Sequence, residues 1–325
     1  MSDGSLPLVS VLMLAYQNEA YVERAIGSVL SQKCTFPFEL VIGEDASTDS
    51  TLDAIRRAVN GSEVPVRVCA RPKNLGMHRN YDLLLRGAKA PYVANIDGDD
   101  EWVDDHKLQK QVDQITADPT IAMVFGRSEA VDRNGESLPA IDYTRPRQFA
   151  TIDELFVKCD IPHSTILFRR KFLPQLPDWF FVLPNYDWAS FLVFASKGTV
   201  AGLPDVLARY TWHWQGSSSG RSDRQHFDAN AAHYVALKRE FGALLSVDAM
   251  YGAKRRLEDC LSWAFVANGA ITDLVPMAAE YFRVCNTLAV APSYWWLLGE
   301  ARRYLTKKIM RRHSRLTDDP RKRPA

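Results

Sequence analysis

The sequence predicts an α/β protein, a doubly wound, mostly parallel sheet followed by a C-terminal helical extension. Three observations carry that reading. Short apolar runs alternate with amphipathic helical stretches through the first 125 residues. The second and fourth of those runs end in acid-rich clusters, Glu44-Asp45 and Asp97-Gly98-Asp99-Asp100. From residue 226 to 316 the pattern is almost wholly helical, with a break near Pro292.

Each element follows from its residues. Leu8–Leu14 is apolar apart from Ser10, the composition of a strand buried on both faces. Tyr21, Ala25, Val29 and Leu30 then fall at helical spacing. Phe38–Gly43 is a second strand, after which Ser47, Thr48 and Asp49 offer N-caps for a helix over Thr51–Val59. Val64–Cys69 is a third strand, Asn74-Leu75-Gly76 a turn, Arg79–Lys89 a helix and Tyr92–Ile96 a fourth strand. Beyond residue 125 the alternation weakens. Ile121–Phe125 and Ser164–Phe168 read as strands, Asp187–Lys197 as a helix, and no internal repeat is present.

Composition narrows the class. At 325 residues, 46% hydrophobic and 24% charged, the chain is neither a disordered segment, a collagen-like repeat nor a small disulfide scaffold. The net charge of +1 hides an asymmetry. Residues 301–325 carry ten Lys and Arg against Asp318 and Asp319, a local charge of +8. The first 300 residues hold 30 basic and 37 acidic side chains, or −7. Such a basic tail on a mildly acidic body suits an anionic partner. The five scattered cysteines, with no C-x-x-C, fit free thiols in a reducing compartment. No basic segment precedes Leu8–Tyr16, and Trp179–Phe194 is broken by Pro184, Asn185 and Asp187, so neither a signal peptide nor a membrane span is expected. The body is read as cytoplasmic.

In doubly wound sheets ligands sit outside the carboxyl ends of the strands, where both acidic clusters fall. Three carboxylates on the turn 97–100 repel one another unless a cation or water compensates them. Hard oxygen donors suit Mg²⁺ or Mn²⁺ shared with phosphate oxygens. A solvated turn with a helix cap is the plain alternative for so short a motif.

The motifs then accumulate in register. Val9–Glu19, Ala25–Gln32, Glu44–Thr51, Asn74–Gly76 and Ile96–Trp102 together resemble, in order and spacing, the family 2 glycosyltransferases. The resemblance is strong over residues 8–112, thins towards residue 220 and covers nothing after that. It implies a fold of the nucleotide-sugar transferase type, an inverting, metal-dependent transferase, and a nucleotide-diphospho-sugar donor. Residues 1–125 would bind the donor, 126–225 the acceptor with the catalytic base, and 226–325 would form the helical extension. Tyr16 would flank or stack on the base, Asp45 would accept a hydrogen bond from it with Glu44 alongside, and Asp97 would meet the ribose or sugar. Arg79 would steady the diphosphate, and Asp99 would be the principal metal ligand, for Mn²⁺ or Mg²⁺. Gln17, Ala46 and Leu14 depart from the family's usual Asn, Gly and small polar residue.

Inversion needs a carboxylate that takes the acceptor hydroxyl's proton. Asp187 stands where the family places its base, although a helix N-cap would also favour Asp there. The resemblance continues in Arg209–Ser217, where His213 would complete the metal or diphosphate shell, or serve as a structural histidine. Trp188, Trp212 and Trp214 are expected either as acceptor-side platforms or as core packing. The segment Ile161–Thr165 resembles an acceptor-lining segment, with His163 touching the acceptor. The remaining histidines form no ligand-like group.

In the tail, Tyr294, Leu298, Ala301, Leu305 and Ile309 share a helical stripe, and basic residues crowd the remainder. That is the make-up of a helix lying on an anionic membrane, peripheral to the inner face. A helix packed on the body with a solvated end is the alternative, and no motif supports nucleic acid. The expected function is sugar transfer to a glycan or lipid-linked hydroxyl in surface polysaccharide or glycolipid assembly. The rivals are a non-catalytic sugar-nucleotide-binding scaffold and a nucleotidyltransferase-like enzyme. The second would need a basic, glycine-rich N-terminal loop, which Ala15–Asn18 does not offer.

Overall fold

The computed structural model describes residues 6–138, 148–213, 220–267, 271–294, 296–299 and 302. Trp214 and residues 303–323 of the basic tail lie outside them. The chain divides into two compact units, residues 1–220 and 221–325.

In chain order the first unit runs β1 (Val9–Ala15), α1 (Val22–Leu30), β2 (Phe38–Glu44), α2 (Thr51–Val59), β3 (Val66–Ala70), α3 (Met77–Gly87), β4 (Tyr92–Asp97) and β5 (Glu101–Trp102). Then follow α4 (Lys107–Ala117), β6 (Ile121–Val131), β7 (Phe149–Ala150), α5 (Ile152–Val157), β8 (Leu167–Arg169), α6 (Asp187–Lys197) and β9 (Thr199–Thr211). The sheet order is β3-β2-β1-β4-β8-β6-β9-β5, with β7 paired to β9. The long pairings, β1 with β2 and β4, β2 with β3, and β6 with β9, are parallel; each antiparallel one joins a short strand, β5, β7 or β8, to a longer neighbour.

Two-sided burial explains why β1 lacks polar alternation. Val9, Val11, Met13 and Ala15 pack into one core with Val22 and Ile26 of α1, Ile55 of α2 and Leu108 of α4. Helix α3 packs against β1 and β2 and buries Tyr81, Leu84 and Leu85. Strands covered on both faces in this way read as continuous apolar runs.

Strand direction fixes where the loops converge. Because β8 runs antiparallel to both β4 and β6, and β6 is parallel to β9, the strands β1, β2, β4, β6 and β9 all point the same way. The segments after β1, β2, β4 and β9 therefore share one edge of the sheet.

Two expectations need correction. Ser164–Phe168 is not one strand. His163–Thr165 form a 3-10 turn and only Leu167–Arg169 pair as β8. Pro162 starts that turn, its carbonyl accepting both the Thr165 N–H and hydroxyl, and Ser164 is drawn into contacts with the acidic turn. Strand β9, 13 residues long, has no counterpart in the sequence reading. Gly202 and Pro204 interrupt its pattern, and the register against β6 slips there, with Phe125 opposite Gly202 and Arg127 opposite Val206. A bulge tolerates the proline that a regular ladder would reject.

The second unit is helical: α7 (Asp223–Phe241), α8 (Val247–Ala267) and α9 (Ile271–Leu288). Ser222 and Gln225 form a capping box at the start of α7. Phe227, Tyr234, Leu237, Leu257, Leu261, Tyr281 and Val284 are buried. The break expected near Pro292 begins at Ala289, which adopts φ +56 just after α9 ends.

Candidate active site

The pocket edge is built from loops that lock onto one another. After β1, Gln17 takes φ +57 and after β2, Ala46 takes φ +58, left-handed conformations that cost a side-chain-bearing residue about 1 kcal/mol. Hydrogen bonds across the two loops offset that cost. The Gln17 N–H donates to Ser47 Oγ at 3.0 Å, and its side-chain carbonyl accepts the N–H groups of Thr48 and Asp49. The Asn18 N–H donates to Thr51 Oγ1 at 2.8 Å. Tyr16 rides on this frame, 47% exposed.

The acidic turn after β4 docks under the same frame. The Gly98 N–H donates to the Leu14 carbonyl at 2.8 Å, an approach so close that a Cβ at Gly98 would lie 2.9 Å from that oxygen. Here glycine is required by space.

The turn presents Asp99 towards His213. Asp99 Oδ2 and His213 Nε2 are 2.9 Å apart, with side chains 22% and 12% exposed. The His213 ring stacks on Tyr21, centroids 5.4 Å apart. The two donors are separated by the distance between adjacent ligands of an octahedral ion with bonds of about 2.1 Å. The carboxylate suits Mg²⁺ and Mn²⁺ alike, and the imidazole nitrogen tilts the pair towards the softer Mn²⁺. Among the described residues no group of three or more His, Cys, Asp or Glu gathers for a metal, so such an ion would draw its other ligands from hard oxygens such as diphosphate.

Asp97 is the more open carboxylate, 3.4 Å from His163 Nδ1. The other ring nitrogen of His163 is 2.8 Å from Asn95 Nδ2, and Asn95 in turn bonds to the Tyr81 hydroxyl. Burial pulls the His163 imidazole down, but the charges of Asp97 and Asp187 outweigh it and hold the group above the ordinary histidine value. Expected on the acceptor side, His163 instead braces Asp97 with its side chain 12% exposed, because the 3-10 turn docks under the acidic loop.

Asp100 is buried. Burial first, then the neighbouring Asp99 and Asp97 charges, push its carboxyl well above the usual range, while the Ser164 hydroxyl and Thr211 amide pull it back.

Asp187 opens α6, its Oδ1 accepting Asn185 Nδ2 at 2.7 Å and the Trp188 N–H at 2.8 Å. Tyr186 before it stacks on Tyr81 at 4.3 Å and meets the edge of His163 at 5.4 Å. This aromatic packing ties the start of α6 to the β4 side of the pocket. Burial, and then Asp97 and Asp187, push the Tyr186 hydroxyl well up.

Other expected residues fall differently. Both oxygens of Asp45 accept main-chain N–H groups, from Leu75 at 2.8 Å and Gly76 at 2.9 Å, and the residue is 3% exposed. Asp45 therefore clamps the 74–76 turn. Glu44, equally buried, accepts the Ser47 N–H at 2.7 Å. Trp188 is 4% exposed with its indole N–H donating to the Leu155 carbonyl, so it is core packing and not a sugar platform. Trp212 is half-buried beside His213, its N–H donating to the Val131 carbonyl. Arg79 is exposed, its guanidinium 4.6 Å from the centre of the Phe181 ring. Tyr21, Asn95 and Ser164 were missed as site residues. Tyr21 showed only as a helix stripe, and Ser164 only as part of the Ile161–Thr165 segment and the start of an expected strand.

Comparison with known proteins agrees with the fold. Residues 10–176 match the family described as Glycosyl transferase family 2. TuaG of Bacillus subtilis, described as a putative teichuronic acid biosynthesis glycosyltransferase, is 31% identical over 215 residues, covering 63% of this chain and 79% of TuaG. S. aureus TarS 1-349 in complex with UDP superposes with a TM-score of 0.63 at 16% identity, covering 94% of this chain and 91% of that one; of a longer TarS chain only 49% is covered. A mannosyltransferase from Pyrobaculum calidifontis, in complex with GDP-Man and Mn²⁺, gives 0.55 at 18% identity, covering 94% and 89%. These structural likenesses establish the fold, and the sequence match spans more than half of the 325 residues. The chain belongs to glycosyl transferase family 2.

Proposed function

We propose that this enzyme transfers a sugar from a nucleoside-diphosphate donor to a hydroxyl of a glycan or lipid-linked acceptor, with inversion, in cell-surface polysaccharide or glycolipid assembly. The observation that carries the reading is the 2.9 Å approach of Asp99 and His213 at the carboxyl edge of the sheet. TuaG's description as a biosynthetic glycosyltransferase supports the polysaccharide context.

In this reading Tyr16 offers an exposed ring to the nucleotide base, and Asp97, braced by His163, meets the ribose or sugar. Asp99 and His213 hold Mn²⁺ or Mg²⁺, which when bound offsets charge on the departing diphosphate. Arg79 lies on α3, whose first turn is fixed by the Asp45 clamp, and adds positive charge near the diphosphate. Asp187 takes the proton of the acceptor hydroxyl as that oxygen attacks the anomeric carbon opposite the leaving group. Trp212 borders the acceptor side.

Residues 292–323 contact an anionic membrane surface, each basic residue there contributing about 1 kcal/mol. Among the described residues no helix is long and apolar enough to cross a membrane.

The test is release of nucleoside diphosphate from UDP-, GDP- and dTDP-sugars with Mn²⁺ or Mg²⁺, with and without cell-envelope glycan. Acceptor-stimulated release from one donor class is expected. No release from any donor refutes the reading and favours a sugar-nucleotide-binding scaffold.

A further inference from the structure

Ser164 touches the acidic turn at three points. Its hydroxyl donates to Asp100 Oδ2 and accepts the Asp97 main-chain N–H at 3.3 Å. Its carbonyl accepts the Trp102 indole N–H at 2.7 Å. One residue, in the middle of the 3-10 turn that follows β6 and α5, thus holds the beginning, middle and end of the segment 97–102.

Asp100 extends the connection. Its second oxygen accepts the Thr211 N–H at 3.2 Å, and Thr211 ends β9 two residues before His213. Both Asp100 oxygens are therefore engaged inside the protein. A continuous path runs from Ser164 to Asp100 to Thr211, and its last two members lie one and two residues from Asp99 and His213.

We propose that Ser164 and Asp100 are positioning residues: Ser164 holds the 97–102 turn in shape, and Asp100 ties that turn to the end of β9 so that Asp99 and His213 converge on one ion. This inference rests on the metal reading above. Partners behind the ligands of a metal commonly change its affinity 10- to 100-fold, roughly, when removed.

The physical reason lies in what each substitution strands. Ser164→Ala leaves the Asp97 N–H and one Asp100 oxygen without partners in the interior. Asp100→Ala releases the end of β9 from the turn. Asp100→Asn keeps both links, because the carboxamide oxygen can accept from Thr211 while its NH₂ donates to Ser164 Oγ.

The experiment is a Mn²⁺ titration of the full chain, followed by electron paramagnetic resonance of the free ion, in the presence of UDP. Ser164→Ala and Asp100→Ala are expected to weaken Mn²⁺ binding about 10- to 100-fold, and Asp100→Asn to bind close to the unaltered chain. Unchanged binding in Ser164→Ala overturns the proposal while leaving the metal reading intact. So does a loss in Asp100→Asn as large as in Asp100→Ala, since that makes Asp100 a ligand. No Mn²⁺ binding by the unaltered chain overturns both. Circular dichroism and thermal unfolding report folding, and if the alanine variants do not fold, Asp100→Asn decides alone.

Discussion

The clamp on the 74–76 turn gives a prediction whose size follows from its geometry. Asp45 accepts two main-chain N–H groups, at 2.8 and 2.9 Å, in a site 3% exposed. Asp45→Asn replaces one accepting oxygen with an NH₂ that must face a donor. One charge-assisted bond is lost, at about 1.5–3 kcal/mol, and the other becomes a weaker neutral bond. The local cost is about 2–4 kcal/mol, which at 1.4 kcal/mol per tenfold speeds exchange of the Leu75 and Gly76 amides about 30- to 1,000-fold. Hydrogen exchange read by mass spectrometry on the 71–80 peptide measures this directly. Because α3 begins at Met77, UDP and GDP affinities should fall together. Unchanged exchange, combined with an altered preference between UDP and GDP, would refute the clamp and restore Asp45 as a contact to the base.

Two further outcomes follow. Gly98→Ala drives a Cβ to 2.9 Å from the Leu14 carbonyl and 2.8 Å from Asn18 Oδ1; since the first is backbone, urea unfolding should show a loss of about 1–3 kcal/mol, and an unchanged midpoint would contradict the close packing. Lys107 is fully buried, its Nζ bonded to Gln111 and 4.0 Å above the Trp102 ring, and burial holds its pKa well below the lysine range. Between that lowered value and 10.5 the unfolded chain carries a proton the folded chain lacks, so stability rises with pH across this window, by up to about 1.4 kcal/mol per unit. Lys107→Met removes this contribution, so its stability relative to the unaltered chain should decline as pH is raised through the window; a difference independent of pH would contradict the assignment.

How much could be read beforehand depended on how local the signal was. Strands β1, β2 and β4 were legible because burial on both faces leaves a largely apolar run, broken only by Ser10, Glu39 and Asn95 before the acidic ends. The edge at which Asp97–Asp100 emerges follows from the alternation alone. Strand β9 was not legible, since the bulge that admits Gly202 and Pro204 is a property of its pairing with β6. The same holds for side chains. Asp45 and Trp188 sit in motifs that match the family, but whether a carboxylate faces a ligand or a main-chain amide is decided by the 74–76 turn. Whether a tryptophan faces a sugar or the Leu155 carbonyl is decided by α5. Ser164 acts through contacts with residues 97–102, which no spacing within the chain announces. The nearness of His213 to Asp99 needed the parallel course of β4 and β9, which lie far apart in the chain.

The most direct test of the account is turnover set against binding in Asp187→Asn. With the donor that supports acceptor-stimulated release, and Mn²⁺ present, the variant should lose about 100- to 10,000-fold in kcat, the contribution of a positioned general base. Its Kd for UDP should match that of the unaltered chain. Turnover at the unaltered rate would contradict Asp187 as the base, and with it the inverting transfer proposed here.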